Sequence, residues 1–275
     1  MSIIVSVYNG ADTLQRSLDS VWNQNYPHKE LIVIDGASTD GSVNLIEANE
    51  SSIHYWESEP DRGIYHAWNK GLGHATGDWI HFHGADDYFT DPGVFSKVAA
   101  WLKQSGPDIR VAYGREAIVS STGELLEIRG EAWEKVGHKF VREMSIPHST
   151  VFHHRSLFDD HGEFDESFRV CADYHLLLKE LKSGQAVFVP DMVMKTVSYE
   201  GLSRKWDMLL TVAGETLRAQ RLNGLFPHRP DRIWNVSKLF AKYWLARIVG
   251  DKWTRQIVDG YRLLTGRPRI WTKMN

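Results

Sequence analysis

From residue 3 to about residue 115, short runs of consecutive apolar residues alternate with segments whose apolar positions recur every three or four residues. Ile3 to Val7 reads as a buried strand. Ala11 to Trp22 reads as a helix with Leu14, Leu18 and Val21 on one face, and Leu31 to Ile34 as a second buried strand. Ser38-Thr39-Asp40-Gly41 is a turn rich in capping residues that opens a helix through Leu45 and Ile46. A third strand over Ile53 to Trp56, a helix over Ile64 to Leu72 and a fourth strand over Trp79 to Phe82 follow. Farther on, 109–129 holds two strand-like runs around Ser121-Thr122-Gly123, a hairpin signal. Helical patterns cover 154–160 and 173–182, a strand pair is predicted over 186–199, and the chain turns helical from about 207.

This β-α-β-α order predicts an α/β fold with a mostly parallel sheet covered by helices on both faces, which is why its strands read as unbroken apolar runs. Sheets of this kind bind ligands beyond the carboxyl ends of their strands. Four polar clusters stand there: Tyr8-Asn9 after the first strand, Asp35 after the second, Glu59 to Gly63 after the third and Gly84 to Asp87 after the fourth.

Each cluster has two readings. Asp86 and Asp87 form a carboxylate pair suited to Mg²⁺ or Mn²⁺, which take hard oxygen ligands and keep some water, or they cap the helix that follows. Asp35 accepts hydrogen bonds from a nucleobase or ribose, or it is a turn residue before Gly36. Asp61 and Arg62 lie in a loop bounded by Pro60 and Gly63, where a solvated charge pair is the plainer reading. Asn69-Lys70-Gly71 reads as a helix C-terminus closed by glycine. His81 and His83 share one side of a strand; they fit satisfied polar residues beside a pocket or, with a nearby aspartate, a zinc site. Asp173 opens a helix carrying Leu176, Leu177 and Leu181, where an acid is favoured by the dipole; enclosed, the same carboxylate is a candidate general base.

Composition narrows the class. Of 275 residues, 42% are apolar and 24% charged, ordinary values for a globular protein. The single cysteine, Cys171, rules out an internal disulfide and reads as a small buried hydrophobe. The apolar start lacks a basic leader, and no stretch reaches the ~20 apolar residues of a membrane-spanning helix, so a cytoplasmic protein is expected. Charge is uneven: residues 201–275 carry 15 Lys/Arg against 5 Asp/Glu, while the whole chain has a net charge of −3. An acidic body with a basic tail implies two tasks.

Taken together and in order, four segments resemble family-2 glycosyltransferases: Ser2 to Asn9, Ile34 to Gly41, Ser58 to Tyr65 with Asn69 to Gly71, and Gly77 to Trp79 running into Gly84 to Asp87. A second block also fits the family: Pro147 to Phe152, Gly162 to Ser167 and Ala172 to Tyr174. The resemblance spans about residues 2–205 and is nearest to bacterial transferases of polysaccharide biosynthesis, including the colanic-acid type. It implies a GT-A fold over 1–205 with a helical extension over 206–275. It implies an inverting transfer of sugar from a UDP- or GDP-sugar to a hydroxyl of a glycan acceptor, with Mg²⁺ or Mn²⁺ as cofactor. Residue by residue, it sets Tyr8 and Asn9 beside the nucleotide, Asp35 on the base and Asp61 and Arg62 in the nucleotide pocket. Asn69 and Lys70 fall near the donor, Asp86 and Asp87 on the metal, and Asp173 at the general base. His148 is a candidate contact to phosphate or acceptor, or a loop histidine. Gly84 departs from the pattern: the family often has Asp or Asn there, which implies fewer protein ligands for the metal.

The tail adds a location. Trp206, Trp234, Trp244, Trp253 and Trp271 stand among Lys238, Lys242, Lys252, Arg255, Arg262, Arg267 and Arg269. Trp and Tyr favour the membrane–water interface, and basic residues favour an anionic leaflet. A peripheral position on the inner face of the membrane, facing a polyprenyl-diphosphate-linked acceptor, is the reading; packing of these helices on the acidic body is the other. Nucleic-acid binding suits basic aromatic tails too, but no such module is present. Two rivals differ in chemistry. A nucleotidyltransferase would carry a Gly-rich basic loop after the first strand, where Asn9-Gly10-Ala11-Asp12 has no basic residue; a non-catalytic nucleotide-sugar-binding relic would not need Asp86, Asp87 and Asp173.

Overall fold

The structure, a computed structural model, describes residues 1–199, 208–225, 230–266 and 268–273, with the side chains of 230–236 outside the description. Trp206, the side chain of Trp234, Arg267 and the boundary expected at 205–206 therefore lie outside the described residues.

The first half comprises β1 (Ser2–Val7), α1 (Ala11–Trp22), β2 (Glu30–Asp35), α2 (Ser42–Ala48), β3 (Tyr55–Ser58), α3 (Ile64–His74) and β4 (Trp79–Gly84). These strands lie in the order β3-β2-β1-β4, all parallel. Successive side chains of β1 enter opposite cores. Ile4 packs with Tyr65, Trp68 and Leu72 of α3; Ile3 and Val5 pack with Leu14, Leu18 and Val21 of α1. Both faces are covered, so both parities of the strand must be apolar.

The second half adds β5 (Tyr88–Phe89), α4 (Val94–Gln104), β6 (Val111–Val119), β7 (Leu125–Arg129), α5 (Trp133–Phe140), β8 (Phe152–His154), α6 (Arg155–His161), α7 (Ala172–Leu181) and β9 (Val187–Ser198). The sheet continues from β4 through β8, β6 and β9 to β5, with β7 paired to the later part of β6. Here the directions mix: β8 is antiparallel to β4 and β6, whereas β9 runs parallel to β6. The expected hairpin is β6–β7, turned at Gly123 with φ 82°. The strand pair expected over 186–199 is one bent strand instead. Pro190-Asp191 does not reverse the chain; Asp191 takes φ 63°, and the register to β6 shifts beside it.

Three helices follow: α8 (Leu209–Leu222), α9 (Pro230–Val249) and α10 (Asp251–Leu264). They are not a loose appendage. Ala219 of α8 belongs to the main core. Val258 of α10, with Ile270 and Trp271 beyond it, packs on Ile118, Leu126, Val197 and Tyr199 of the sheet. Glu215 of α8 accepts hydrogen bonds from the backbone N–H groups of Arg169 (2.7 Å), Val170 (2.9 Å) and Cys171 (3.0 Å). A carboxylate on three successive donors fixes the loop that enters α7.

Gly71 is not the helix end that its sequence context suggests. It lies inside α3, where a Cβ would stand 2.4 Å from Ile4 Cγ2; the helix can lie this close to β1 because the side chain is missing. Gly71→Ala gains ~1 kcal/mol of helix propensity but loses more to overpacking. We expect a net destabilisation of about 2 kcal/mol, read as a lower urea midpoint with an unchanged slope.

Candidate active site

The chain order reverses at β1: β2 and β3 lie to one side and β4 to the other, the switch point at which open α/β sheets hold ligands. Register sets the strand ends level. Val7 stands opposite Asp35 and Ser6 opposite Gly84, so the loops that carry Tyr8, Gly36 and Asp86 leave the sheet together. A cavity of about 1240 Å³ opens there; Tyr8, Asn9, Asp86, Asp87, His148 and Asp173 all line it. Asp35, Asp61, Arg62, Asn69 and Lys70 do not.

The loops after β1 and β2 are stitched to each other. Asn9 takes φ 51°, a left-handed conformation that asparagine tolerates. Its Oδ1 accepts from Thr39 N (2.9 Å), its N–H donates to Ser38 Oγ (2.8 Å), and Ala11 N donates to Asp40 Oδ2 (2.9 Å). Tyr8 is thereby held out into solvent, 70% exposed. A Cβ at Gly36 would stand 3.4 Å from Tyr8 Cδ2 and 3.1 Å from Asp61 Oδ2, so Tyr8 and Asp61 flank one narrow slot. Asp35 lies at its base, fully buried. Its Oδ2 accepts from Ser38 N (2.9 Å) and Ser58 Oγ (2.6 Å), and its Oδ1 has no hydrogen-bond partner.

Several predicted site residues are occupied by other groups. Lys70 forms ion pairs with Glu57 (2.7 Å) and Asp61 (3.2 Å). Arg62, largely exposed, pairs with Glu166 at 2.7 Å. Asn69 clasps the 162–167 segment, donating to Phe164 O (2.9 Å) and accepting from Phe164 N (3.0 Å). Asn69 thus ties α3, and Arg62 the loop before it, to the segment that precedes α7.

Asp173 sits in the first turn of α7. Its Oδ1 accepts from Tyr65 Oη (3.1 Å) and from the Tyr174 N–H (2.8 Å). Its Oδ2 faces His148 Nδ1 at 3.7 Å, beyond a direct hydrogen bond. Burial raises the Asp173 carboxyl to about 6. Burial, with the Lys195 charge second, lowers His148 to about 3, so this imidazole is neutral. Trp68 stacks on it with centroids 5.3 Å apart and donates its indole N–H to Ser6 Oγ (3.1 Å). His148 thus stands beside the carboxylate.

At the end of β4, Asp86 and Asp87 fold back over Gly84. A Cβ on that glycine would stand 2.9 Å from Asp86 Oδ1 and 3.2 Å from Asp87 Oδ2. The Asp86 carboxyl lies above the usual carboxylate range, first through desolvation and then through repulsion by Asp87; Lys195 and Arg16 oppose the shift. Asp87 Oδ2 lies 2.8 Å from the ammonium of Lys195, which is wholly buried. Among the described residues no group of three or more His, Cys, Asp or Glu side chains could hold a metal ion. Two carboxylates that crowd each other still fit a hard cation that keeps water and takes phosphate oxygens. Among the described residues no group of three or more possible ligands includes His81 and His83, so the zinc reading has no support. Both are buried and held neutral; His81 stacks on Phe152 and His83 on Phe89, and His81 Nδ1 is 2.8 Å from Val151 O.

The sequence reading assigns no role to Tyr65, Trp68, Lys195 or Glu116. Glu116 is a buried acid that lines the cavity and accepts from Ser149 Oγ. Tyr65 lies within a quoted motif, but nothing in the pattern tells that its hydroxyl reaches Asp173. Cys171 is buried as expected, its thiol pushed up by desolvation first and then by Asp173 and Glu215.

Comparison with known proteins gives this geometry a context. The family model described as Glycosyl transferase family 2 matches residues 2–156. A glycosyltransferase of Mycobacterium tuberculosis is 33% identical over 181 residues, covering 65% of this chain and 68% of that one. The structure of S. aureus TarS in complex with UDP-GlcNAc superposes with a TM-score of 0.65 at 17% identity, over 90% of this chain and 72% of that one. The mannosyltransferase PcManGT from Pyrobaculum calidifontis, in complex with GDP-Man and Mn²⁺, superposes with a TM-score of 0.60 at 21% identity, over 99% and 83%. The fold is of the GT-A type.

Because burial raises the folded Asp173 carboxyl, the folded protein keeps a proton that the unfolded chain releases. Stability therefore falls as pH rises from the ordinary carboxylate range to about 6. Asp173→Asn removes that loss. The variant should be more stable than wild type by about 2 kcal/mol near pH ~8 and gain little near pH ~4; thermal unfolding at the two pH values tests this.

Proposed function

The chain belongs to glycosyl transferase family 2, and from that premise we propose that it moves a sugar from a UDP- or GDP-sugar to a hydroxyl of a lipid-linked glycan, inverting the anomeric centre. The observation that carries this reading is the shared cavity: Tyr8, Asn9, Asp86, Asp87 and Asp173, from three separate stretches of the chain, line it together. The sugar nucleotides bound by TarS and by PcManGT support the donor class, and the Mn²⁺ of PcManGT supports the cofactor.

The donor lies across the ends of β1 and β4. Tyr8 offers its ring to the base, and the unpartnered Oδ1 of Asp35 is an acceptor for a base or ribose donor. Asp86 and Asp87 hold Mg²⁺ or Mn²⁺, which when bound offsets the charge that develops on the diphosphate leaving group. Asp173 takes the proton of the acceptor hydroxyl as that oxygen attacks the anomeric carbon. The Tyr65 hydroxyl and the Tyr174 N–H engage Oδ1, leaving Oδ2 as the oxygen aimed at the acceptor. A base raised to about 6 is ionised at neutral pH and still basic enough to accept a proton.

The test is release of nucleoside diphosphate from a panel of UDP-, GDP- and dTDP-sugars with lipid-linked acceptors. Asp173→Asn should cut turnover by about 10²–10⁴-fold while nucleotide binding persists, and wild-type kcat/KM should rise with pH to a plateau above about 6. Asp86→Ala should weaken Mn²⁺-dependent donor binding. Wild-type turnover in Asp173→Asn would remove the base role, and formation of sugar 1-phosphate and nucleoside triphosphate from these donors on addition of pyrophosphate, in place of nucleoside diphosphate, would favour a nucleotidyltransferase.

The C-terminal helices lie on the inner face of the cell membrane in this reading. Phe240, Trp244 and Ile248 of α9 are exposed at four-residue spacing; so are Trp253, Ile257 and Tyr261 of α10, with Leu264 a further turn on. Thr254, Val258 and Asp259 form the buried side of α10. An apolar stripe of this kind, with basic residues nearby, suits the interfacial plane. No described helix is long and apolar enough to cross a membrane. Leu239 of α9 and Arg262 of α10 also line the cavity, so an acceptor held in the surface has a short path to Asp173. Trp244→Ser/Trp253→Ser/Ile257→Ser should abolish flotation with anionic vesicles and leave transfer to a water-soluble acceptor unchanged; undiminished flotation would refute the docking face.

A further inference from the structure

Lys195 is the least expected residue near the acidic pair. It lies on β9, opposite Glu116 of β6 and Phe89 of β5, with none of its surface exposed. Burying an ammonium costs several kcal/mol unless a counter-charge meets it. Asp87 Oδ2, 2.8 Å away, supplies that charge. The approach is an ion pair by distance but not a hydrogen bond by angle, and Nζ has no hydrogen-bond acceptor among the described residues. On its other sides stand the Phe89 ring, centroid 5.8 Å away, and the neutral His81 and His83. Lys195 does not line the cavity; its charge acts there on Asp86 and His148, while its contact is with Asp87.

We infer that Lys195 is a positioning residue of the acidic pair: it anchors Asp87 from the core side and spends part of that carboxylate's charge, so that a divalent cation is taken chiefly by Asp86. Three observations converge on this. Gly84 removes the side chain that would separate the two carboxylates, and both close over the same point. Both line the cavity, but Asp87, 14% exposed, is paired with the buried ammonium, whereas Asp86 is exposed. The charge of the cluster is −1 where two free carboxylates would give −2, so the resting site attracts a cation more weakly than its acids alone would. The consequence is a pair in which metal and lysine compete for Asp87.

This inference rests on the metal reading of Asp86 and Asp87, and Mn²⁺ alone is the probe that separates the two. Free Mn²⁺ is followed by electron paramagnetic resonance during titration of nucleotide-free protein: wild type, Lys195→Met, Asp87→Asn and the double variant. Lys195→Met should bind Mn²⁺ roughly tenfold more tightly than wild type, because the carboxylate of Asp87, no longer held by the ammonium, is freed to take the cation. In the Asp87→Asn background the same change should have little effect. A lysine that only supports the fold would lower the unfolding temperature and leave Mn²⁺ affinity unchanged, which would overturn the inference. So would an equal gain in both backgrounds, since Lys195 would then act as a distant charge. If Lys195→Met alone fails to fold, the double variant removes both charges as a pair, and its comparison with Asp87→Asn carries the test; a tenfold difference there counts against the inference. Wild-type protein that binds no Mn²⁺ removes the metal reading and this inference with it.

Discussion

The parallel register of β1 between β2 and β4 is the constraint on which the site depends. Val7 opposite Asp35 and Ser6 opposite Gly84 bring three strand ends to one level. Two cores then lock β1 from either side, with Ile4 in one and Ile3 and Val5 in the other. A slip of one residue would exchange these faces and scatter the loops. Polar chemistry at the rim is held by apolar packing beneath it.

Upon that platform the site is divided by environment. The acidic pair after β4 sits on a glycine with one ion-paired member and one exposed. The carboxylate of Asp173 is enclosed, hydrogen-bonded on one oxygen and raised toward neutrality. Similar side chains thus meet different surroundings in one cavity, an ion pair at Asp87 and hydrogen-bonded enclosure at Asp173.

The first half of the fold was legible because β1, β2 and β4 are buried on both faces and α1 and α3 have apolar stripes, so periodicity separates them. Helix α4 carries such a stripe in Val94, Phe95 and Val98, although the sequence reading assigned nothing there; α5 is short and shows only Val136 and Phe140 as buried anchors. The strand pair expected over 186–199 is a single strand because Asp191, at φ 63°, bends the chain without reversing it. In the site, Tyr8, Asn9, Asp86, Asp87, His148 and Asp173 were legible as candidates that share a cavity. Lys70, Asn69 and Arg62 show the limit: their partners Glu57, Phe164 and Glu166 are set by tertiary packing. Lys195 shows it most clearly, since a lysine in a strand reads as exposed until its counter-charge is located.

The clasp of Glu215 on the loop of Arg169, Val170 and Cys171 lies wholly outside the stretch that carries the family signature, which ends at residue 156. Asp173 lies outside it as well. The clasp ties the position of Asp173 to a helix that follows every strand of the sheet, so loosening α8 would displace that carboxylate while leaving the platform of β1, β2 and β4 intact.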